Sequence, residues 1–194
     1  MTIIHPSTAH DVVDVLVDQH HRIMQLFDRV IASEVEERES AFFELRRLLA
    51  VHETAEELIV HPRARRDIVD GRGIVQDRLD EERSAKRILA ELEDMDVQSD
   101  SFVTKVEELR DAVTRHAEHE EHDEFIALRT GLDDHEAARM AKAVELAESV
   151  APTHPHPSVN TGPENLIVGP FAAMLDRARD AILAPTEDVR PGGE

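Results

Sequence analysis

Apolar residues recur at helical spacing through most of the chain. Val13, Leu16, Ile23, Phe27 and Val30 mark one face of a segment from about Asp11 to Glu39, which Ser7 or Thr8 would cap. A second run begins near Ser40 and carries Phe42, Leu45, Leu49 and Ile59 on its stripe; Pro62 should kink or end it. "DGRG" at 70–73 supplies a turn. A third helix runs from about Ile74 to Asp94, with Val75, Leu79, Ala85, Leu89 and Leu92 on its stripe. The fourth opens at Asp100 or Ser101 and reaches Gly131, led by Phe102, Val106, Leu109 and Val113. Four such helices joined by short turns predict an all-α, up-and-down four-helix bundle over residues 8–131.

Residues 132–194 read as an extension. Asp134 to Val150 is a shorter, weakly amphipathic helix, and "APTHPHPSVNTGPENLIVGP" breaks all periodicity as a proline-rich linker. "PFAAMLDRARDAIL" then sets Phe171, Met174, Leu175, Ala178 and Ile182 on one face. That face is suited to packing on the bundle or on a second copy, so a monomer and a homodimer are both open.

Polar residues interrupt these stripes. His20 lies between Leu16 and Ile23; His52 and Glu56 come after Leu49; Glu82 sits amid the third stripe; His116 and Glu120 continue the fourth. A single buried histidine is usually a satisfied core residue, and a histidine with glutamate four residues on is a weak signal alone. Three imidazoles and three carboxylates converging at one depth are different, because buried charge without partners is prohibitive. Two cations bridged by carboxylates would resolve them. His61 is a further candidate: an ideal helix turns it about 140° from Glu56, yet Pro62 disrupts that geometry. His119 and His122 fall near a stripe edge. His5, His10 and His135 read as surface residues, and His154 and His156 lie in the linker.

Composition narrows the chemistry. Among 194 residues there is no cysteine, tyrosine or tryptophan, which excludes disulfides, thiolate nucleophiles, thiolate-ligated clusters and a tyrosyl radical of its own. Twelve histidines are the enriched resource, and the net charge of −20 opposes nucleic-acid binding while suiting cations. No run of 18 apolar residues spans a membrane. With no signal-peptide pattern at the N-terminus, a cytoplasmic protein is expected. A mixed imidazole and carboxylate shell inside a helical bundle suits iron first and manganese second, over zinc, magnesium or calcium. No histidine has a glutamate three residues before it, so the ferritin arrangement is excluded.

The stretches "DQHHRIMQLF", "VHETAEELIVHP", "LDEERSAKRILAEL" and "RHAEHEEHDEF" resemble the hemerythrin-like proteins of the HHE cation-binding type, over roughly residues 11–130. The tail "PHP…GPFAAMLDRARDA" is similar to that of actinobacterial members. The resemblance implies two irons per chain, oxo- and carboxylate-bridged. His20, His52 and His116 would be imidazole ligands, with Glu56 and Glu120 bridging. Some relatives carry histidine or tyrosine before the proline that ends the second helix, which favours His61. Oxygen-carrying hemerythrins supply histidine on the third helix, where this chain has Glu82 within "DEERSAK". That departure points away from reversible oxygen carriage, because a harder, more anionic shell stabilises ferric iron. The expected function is a di-iron protein reacting with hydrogen peroxide or dioxygen, catalase- or peroxidase-like. The alternative is an iron, oxygen or nitric oxide sensor or store without physiological turnover. Glu53, Glu57, His119 and Glu121 are expected to tune the ligands or relay protons.

Overall fold

The computed structural model describes residues 11–150, excepting the side chains of 149 and 150. The expectations for Ser7, Thr8, His5, His10, His154, His156 and the amphipathic 170–183 tail lie outside these residues. Helix α1 (Val12–Ala32) is capped by Asp11, whose carboxylate accepts from the Asp14 N–H at 2.9 Å while the Asp14 carboxylate accepts from the Asp11 N–H at 3.2 Å. This reciprocal box satisfies two of the donors that a helix start leaves free. The helix ends earlier than the sequence suggests. Ser33 and Glu34 are extended, and α2 (Val35–Ala55) begins five residues before Ser40. The run "SEVEERES" carries too little apolar periodicity to mark that break.

Two of the bundle's rods are composite. The second is α2, a π-helical turn (Glu56–Val60) and α3 (His61–Asp67). The fourth is α5 (Asp100–His119), a π-helical turn (Glu120–Glu124) and α6 (Phe125–Gly131). Between them stands α4 (Gly71–Glu93). "DGRG" is therefore not the turn itself but the helix start: residues 68–70 turn, with Asp70 left-handed at φ 58°, and Gly71 opens α4. Gly71 is required there, since a Cβ would come within 2.1 Å of the Ala64 carbonyl oxygen. At the next junction Ser99 caps α5, its hydroxyl accepting from the Phe102 N–H at 3.1 Å.

The final described helix, α7 (Asp134–Val150), packs along α1 and α2. Its Met140, Ala141 and Val144 are buried, a firmer attachment than its weak amphipathicity predicts. The core falls into two apolar clusters. One gathers Ile23, Phe27, Phe42, Leu45, Leu89, Leu92, Phe102 and Leu109. The other gathers Val12, Leu16, Ile59, Phe125, Leu128, Met140 and Val144. Along α1 the order is apolar, Gln19–His20, apolar; along the fourth rod it is apolar, His116–Glu120, apolar. A buried polar layer thus separates the clusters.

Candidate metal centre

The layer is built by the two π turns. His61 donates its backbone N–H to the Glu56 carbonyl, and Phe125 donates to that of Glu120, each five residues back. Relative to an α-helix, each turn holds one extra residue, which rotates the downstream residues by about 100°. The 140° separating His61 from Glu56 in an ideal helix shrinks to about 40°. His61 is consequently buried and faces Glu82. Pro62 does not end the rod. It occupies the first turn of α3, directly after the π turn, and the helix continues to Asp67.

All seven residues selected from the sequence are buried, namely His20, His52, Glu56, His61, Glu82, His116 and Glu120; six converge in groups, and His61 stands outside them, 3.1 Å from Glu82 Oε1. Two groups form, His20–His52–Glu56–Glu120 and Glu56–Glu82–His116. Within each, one ligand atom per residue lies within 4.8 Å of the others. Glu56 belongs to both. His20 Nε2 lies 3.2 Å from Glu120 Oε2, and His116 Nε2 lies 3.3 Å from Glu120 Oε1. His52 Nε2 is 3.3 Å from Glu56 Oε1. Yet both oxygens of Glu56 and of Glu120, and Nε2 of His116, are buried without a directed hydrogen bond. The Nε2 atoms of His20 and His52 face each other at 3.0 Å, so without a cation only a proton on one of them could bridge the pair. Such orphaned atoms are costly in a dry core, and a shared cation satisfies all of them. The donor set fits a metal.

Behind the imidazoles lies a ring of side-chain oxygens, each accepting from an Nδ1–H. Glu121 holds His20 at 2.8 Å, Gln19 holds His52 at 2.9 Å, Glu81 holds His116 at 3.1 Å, and Glu124 holds His61 at 3.2 Å. An imidazole whose Nδ1 donates outward keeps Nε2 directed inward, the orientation that metal-ligating histidines adopt. Of the outer residues expected from sequence, Glu121 takes that role directly. Exposed His119 reaches the centre only through Glu81, at 2.7 Å. Glu53 and Glu57 contact Lys86, whose ammonium also lies 3.2 Å from Glu82 Oε2. His122 is exposed and bonds the Glu118 carbonyl, and His135 is exposed.

Gln19, Glu124 and Arg78 were not legible as outer residues, and Glu81, one step round the helix from Glu82, reads from sequence as an alternative ligand to it and not as an outer support. Gln19 had a signal, lying three residues after Leu16 on the α1 stripe. Glu124 had none, because its burial depends on the π turn. Arg78 is buried beside Glu81, with Nε 3.0 Å from Oε2, where the stripe had suggested only Leu79.

Electrostatics reflect the packing. Burial pushes the Glu56 carboxyl well up, reinforced by Glu120, Glu82 and Glu124. Burial, then His20, pushes His52 well down. For Glu120 burial is overcome by His116 and His20, which hold it at about 2. For His61 burial is overcome by the hydrogen bonds to Glu124 and Glu82, which raise it to about 9. Burial lifts Glu53 to about 7 against the pull of Lys86. The two adjacent carboxylates are pushed in opposite directions because the imidazoles His116 and His20 favour the charged form of Glu120, while burial and three carboxylates disfavour that of Glu56.

A buried layer of imidazoles and carboxylates within a helical bundle defines a cation-binding helical protein. The chain belongs to the hemerythrin HHE cation binding domain family, whose model matches residues 11–128. It is 29% identical over 134 residues to an uncharacterized hemerythrin-like protein of Schizosaccharomyces pombe, covering 68% of this chain and 66% of that one. It is also 27% identical over 140 residues to a Nostoc protein named DNA nickase, covering 72% of this chain and 39% of that protein. The chain thus spans just under two thirds and about two fifths of these relatives' lengths. In fold it resembles the crystal structure of an HHE cation binding domain-containing protein from Mycobacterium kansasii, with TM-score 0.64 and 18% identity, over 87% of this chain and 98% of that one. Among the described residues no helix is long and apolar enough to cross a membrane.

Proposed function

We propose that His20, His52, Glu56, His61, Glu82, His116 and Glu120 hold two irons, and that the protein reacts with hydrogen peroxide or dioxygen in a catalase- or peroxidase-like manner. The observation that carries this reading is the sharing of Glu56 between two buried ligand groups, with Glu120 contacting an imidazole of each. When bound, a pair of irons supplies two-electron redox chemistry that no side chain here can perform.

The residues do the rest. Glu56 and Glu120 offer two oxygens each, suited to spanning a pair of cations. Glu82 in place of imidazole hardens the shell and favours the ferric state. The apolar clusters on either side exclude bulk water, and the outer oxygens keep each imidazole aimed inward. The net charge of −20 weighs against action on DNA, whatever the Nostoc relative does.

The test is anaerobic reconstitution with ferrous iron, then exposure to air or peroxide. Two irons per chain, a near-ultraviolet oxo-to-iron band and peroxide turnover per iron well above free ferric ion are expected. One iron or none per chain refutes the site. Two irons with turnover no faster than free ferric ion refutes the reaction and leaves a sensing or storage role.

A further inference from the structure

Helix α7 lies outside the stretch that the family model matches, yet it touches the metal centre through one residue. Gln19 is almost fully buried between His52 and Glu148 of α7. Its Oε1 accepts from His52 Nδ1 at 2.9 Å, and its Nε2 donates to Glu148 Oε2 at 2.9 Å. The other oxygen of Glu148 pairs with Arg22.

We infer that α7 is a working part of the metal centre: Glu148 fixes the orientation of the Gln19 amide and thereby the tautomer of His52 that leaves Nε2 free for a metal. An ionised carboxylate can only accept, so Gln19 must turn its NH2 towards Glu148. The reversed amide would set two acceptor oxygens against each other at hydrogen-bond distance. Gln19 therefore turns its carbonyl oxygen to His52, which obliges Nδ1 to carry the proton. A neutral imidazole has one N–H, so Nε2 keeps its lone pair, directed at Glu56 and His20. Without Glu148 the amide is free to rotate and offer its NH2 to His52. Nδ1 would then accept, and Nε2 would carry the proton into the site, where it blocks ligation.

The other three imidazoles are held by carboxylates, which accept in either orientation. Only His52 depends on an amide, and only the amide needs a second residue to orient it. Gln19 and Glu148 are thus positioning residues, and the inference rests on His52 being a metal ligand.

The tautomer is read first, by nitrogen NMR of the histidine rings in the metal-free full-length protein, with His52→Ala assigning the signal. The parent should show His52 as the Nδ1–H form. Glu148→Ala should shift it towards Nε2–H. It should also weaken ferrous ion, titrated anaerobically against a competing chelator, about 10-fold at the first site lost. Arg22→Ala removes the other Glu148 contact, loosening α7 equally, and should leave the tautomer unchanged. The exchange Gln19→Glu with Glu148→Gln swaps the two side-chain types. It keeps an acceptor facing His52 and sets an amide donor against it from α7, and should recover the parent tautomer and affinity. An unchanged tautomer in Glu148→Ala, an equal loss in Arg22→Ala, or no recovery in the exchange overturns the inference. Full metal content in His52→Ala instead refutes the ligand reading, and that outcome leaves the tautomer result standing by itself.

Discussion

Removing the metal should invert the pH dependence of stability. In the metal-free protein His61 is raised from 6.5 to about 9 by Glu124 and Glu82. A base with a raised folded pKa adds stability that is fully present below 6.5 and is lost as pH climbs through 9. The shift of about 2.5 units corresponds to roughly 3 kcal/mol at 1.36 kcal/mol per unit. His52, pushed down by burial, adds a slope of opposite sign that fades within about one unit above 6.5, once the unfolded imidazole is also neutral. Glu56, pushed up by burial, costs stability as pH rises above 4.5 and so acts in the same direction as His61. For a chain of this size the loss amounts to roughly 6–12 °C in melting temperature. The iron-loaded protein should behave oppositely, since its imidazoles must be deprotonated to ligate and it weakens towards acid. Melting curves by far-ultraviolet circular dichroism, between pH 5.5 and 9.5 with and without iron, test both limbs. His61→Gln should flatten the metal-free curve between 6.5 and 9. A metal-free melting temperature that stays level or rises across that window would refute the reasoning.

Other substitutions probe the ligand shell and the frame. Glu82→His should keep two metals and lower peroxide turnover, whereas Glu82→Ala should loosen one iron; stoichiometry and optical spectrum decide between a ligand and a bystander. Glu81→Ala, which position on α4 alone would rank as silent, should weaken metal binding roughly 10–100-fold in a chelator competition, because Glu81 orients His116. Gly71→Ala should cost about 1–3 kcal/mol in denaturant melts with metal content preserved, since the added methyl meets the Ala64 carbonyl away from the metal centre.

The four-rod bundle was readable because its stripes are long and regular, and buried polar groups betray themselves as interruptions of apolar stripes. His20, His52, Glu56, Glu82, His116 and Glu120 were found that way, and all six are buried together. The features that stayed hidden depend on departures from α-helical rotation. The α1–α2 break at Ser33 falls in a polar run with no stripe to interrupt. His61 stayed ambiguous because a 3.6-residue period turns it away from Glu56, and only the π turn returns it. Glu81 sits one residue from the stripe centre at Glu82, where spacing does not separate an outer support from a solvated side chain, whereas Gln19, three residues after Leu16, lies on its stripe.

The π turns also explain how a duplicated frame becomes an asymmetric site. "LRRLLAVHETAEE" and "LRDAVTRHAEHEE" share the frame L-R-x-x-Φ-x-x-H-x-x-x-E-E, where Φ is apolar, and each enters its π turn at the first of the paired glutamates, Glu56 or Glu120. Up to that residue the two halves contribute equivalent groups. Five residues later they diverge. His61 turns into the layer and bonds Glu82, while Phe125 stacks on His20 with ring centroids 5.6 Å apart and planes 12° from parallel. One half-site is therefore walled by a ring that offers no donor or acceptor. The other gathers a further imidazole, a third-helix carboxylate and the buried Glu124. The same backbone device, applied twice to nearly the same sequence, places an apolar wall on one side and polar groups on the other. Two cations held there would sit in unequal fields, one beside the Phe125 ring and the other beside the His61 imidazole and its carboxylate partners.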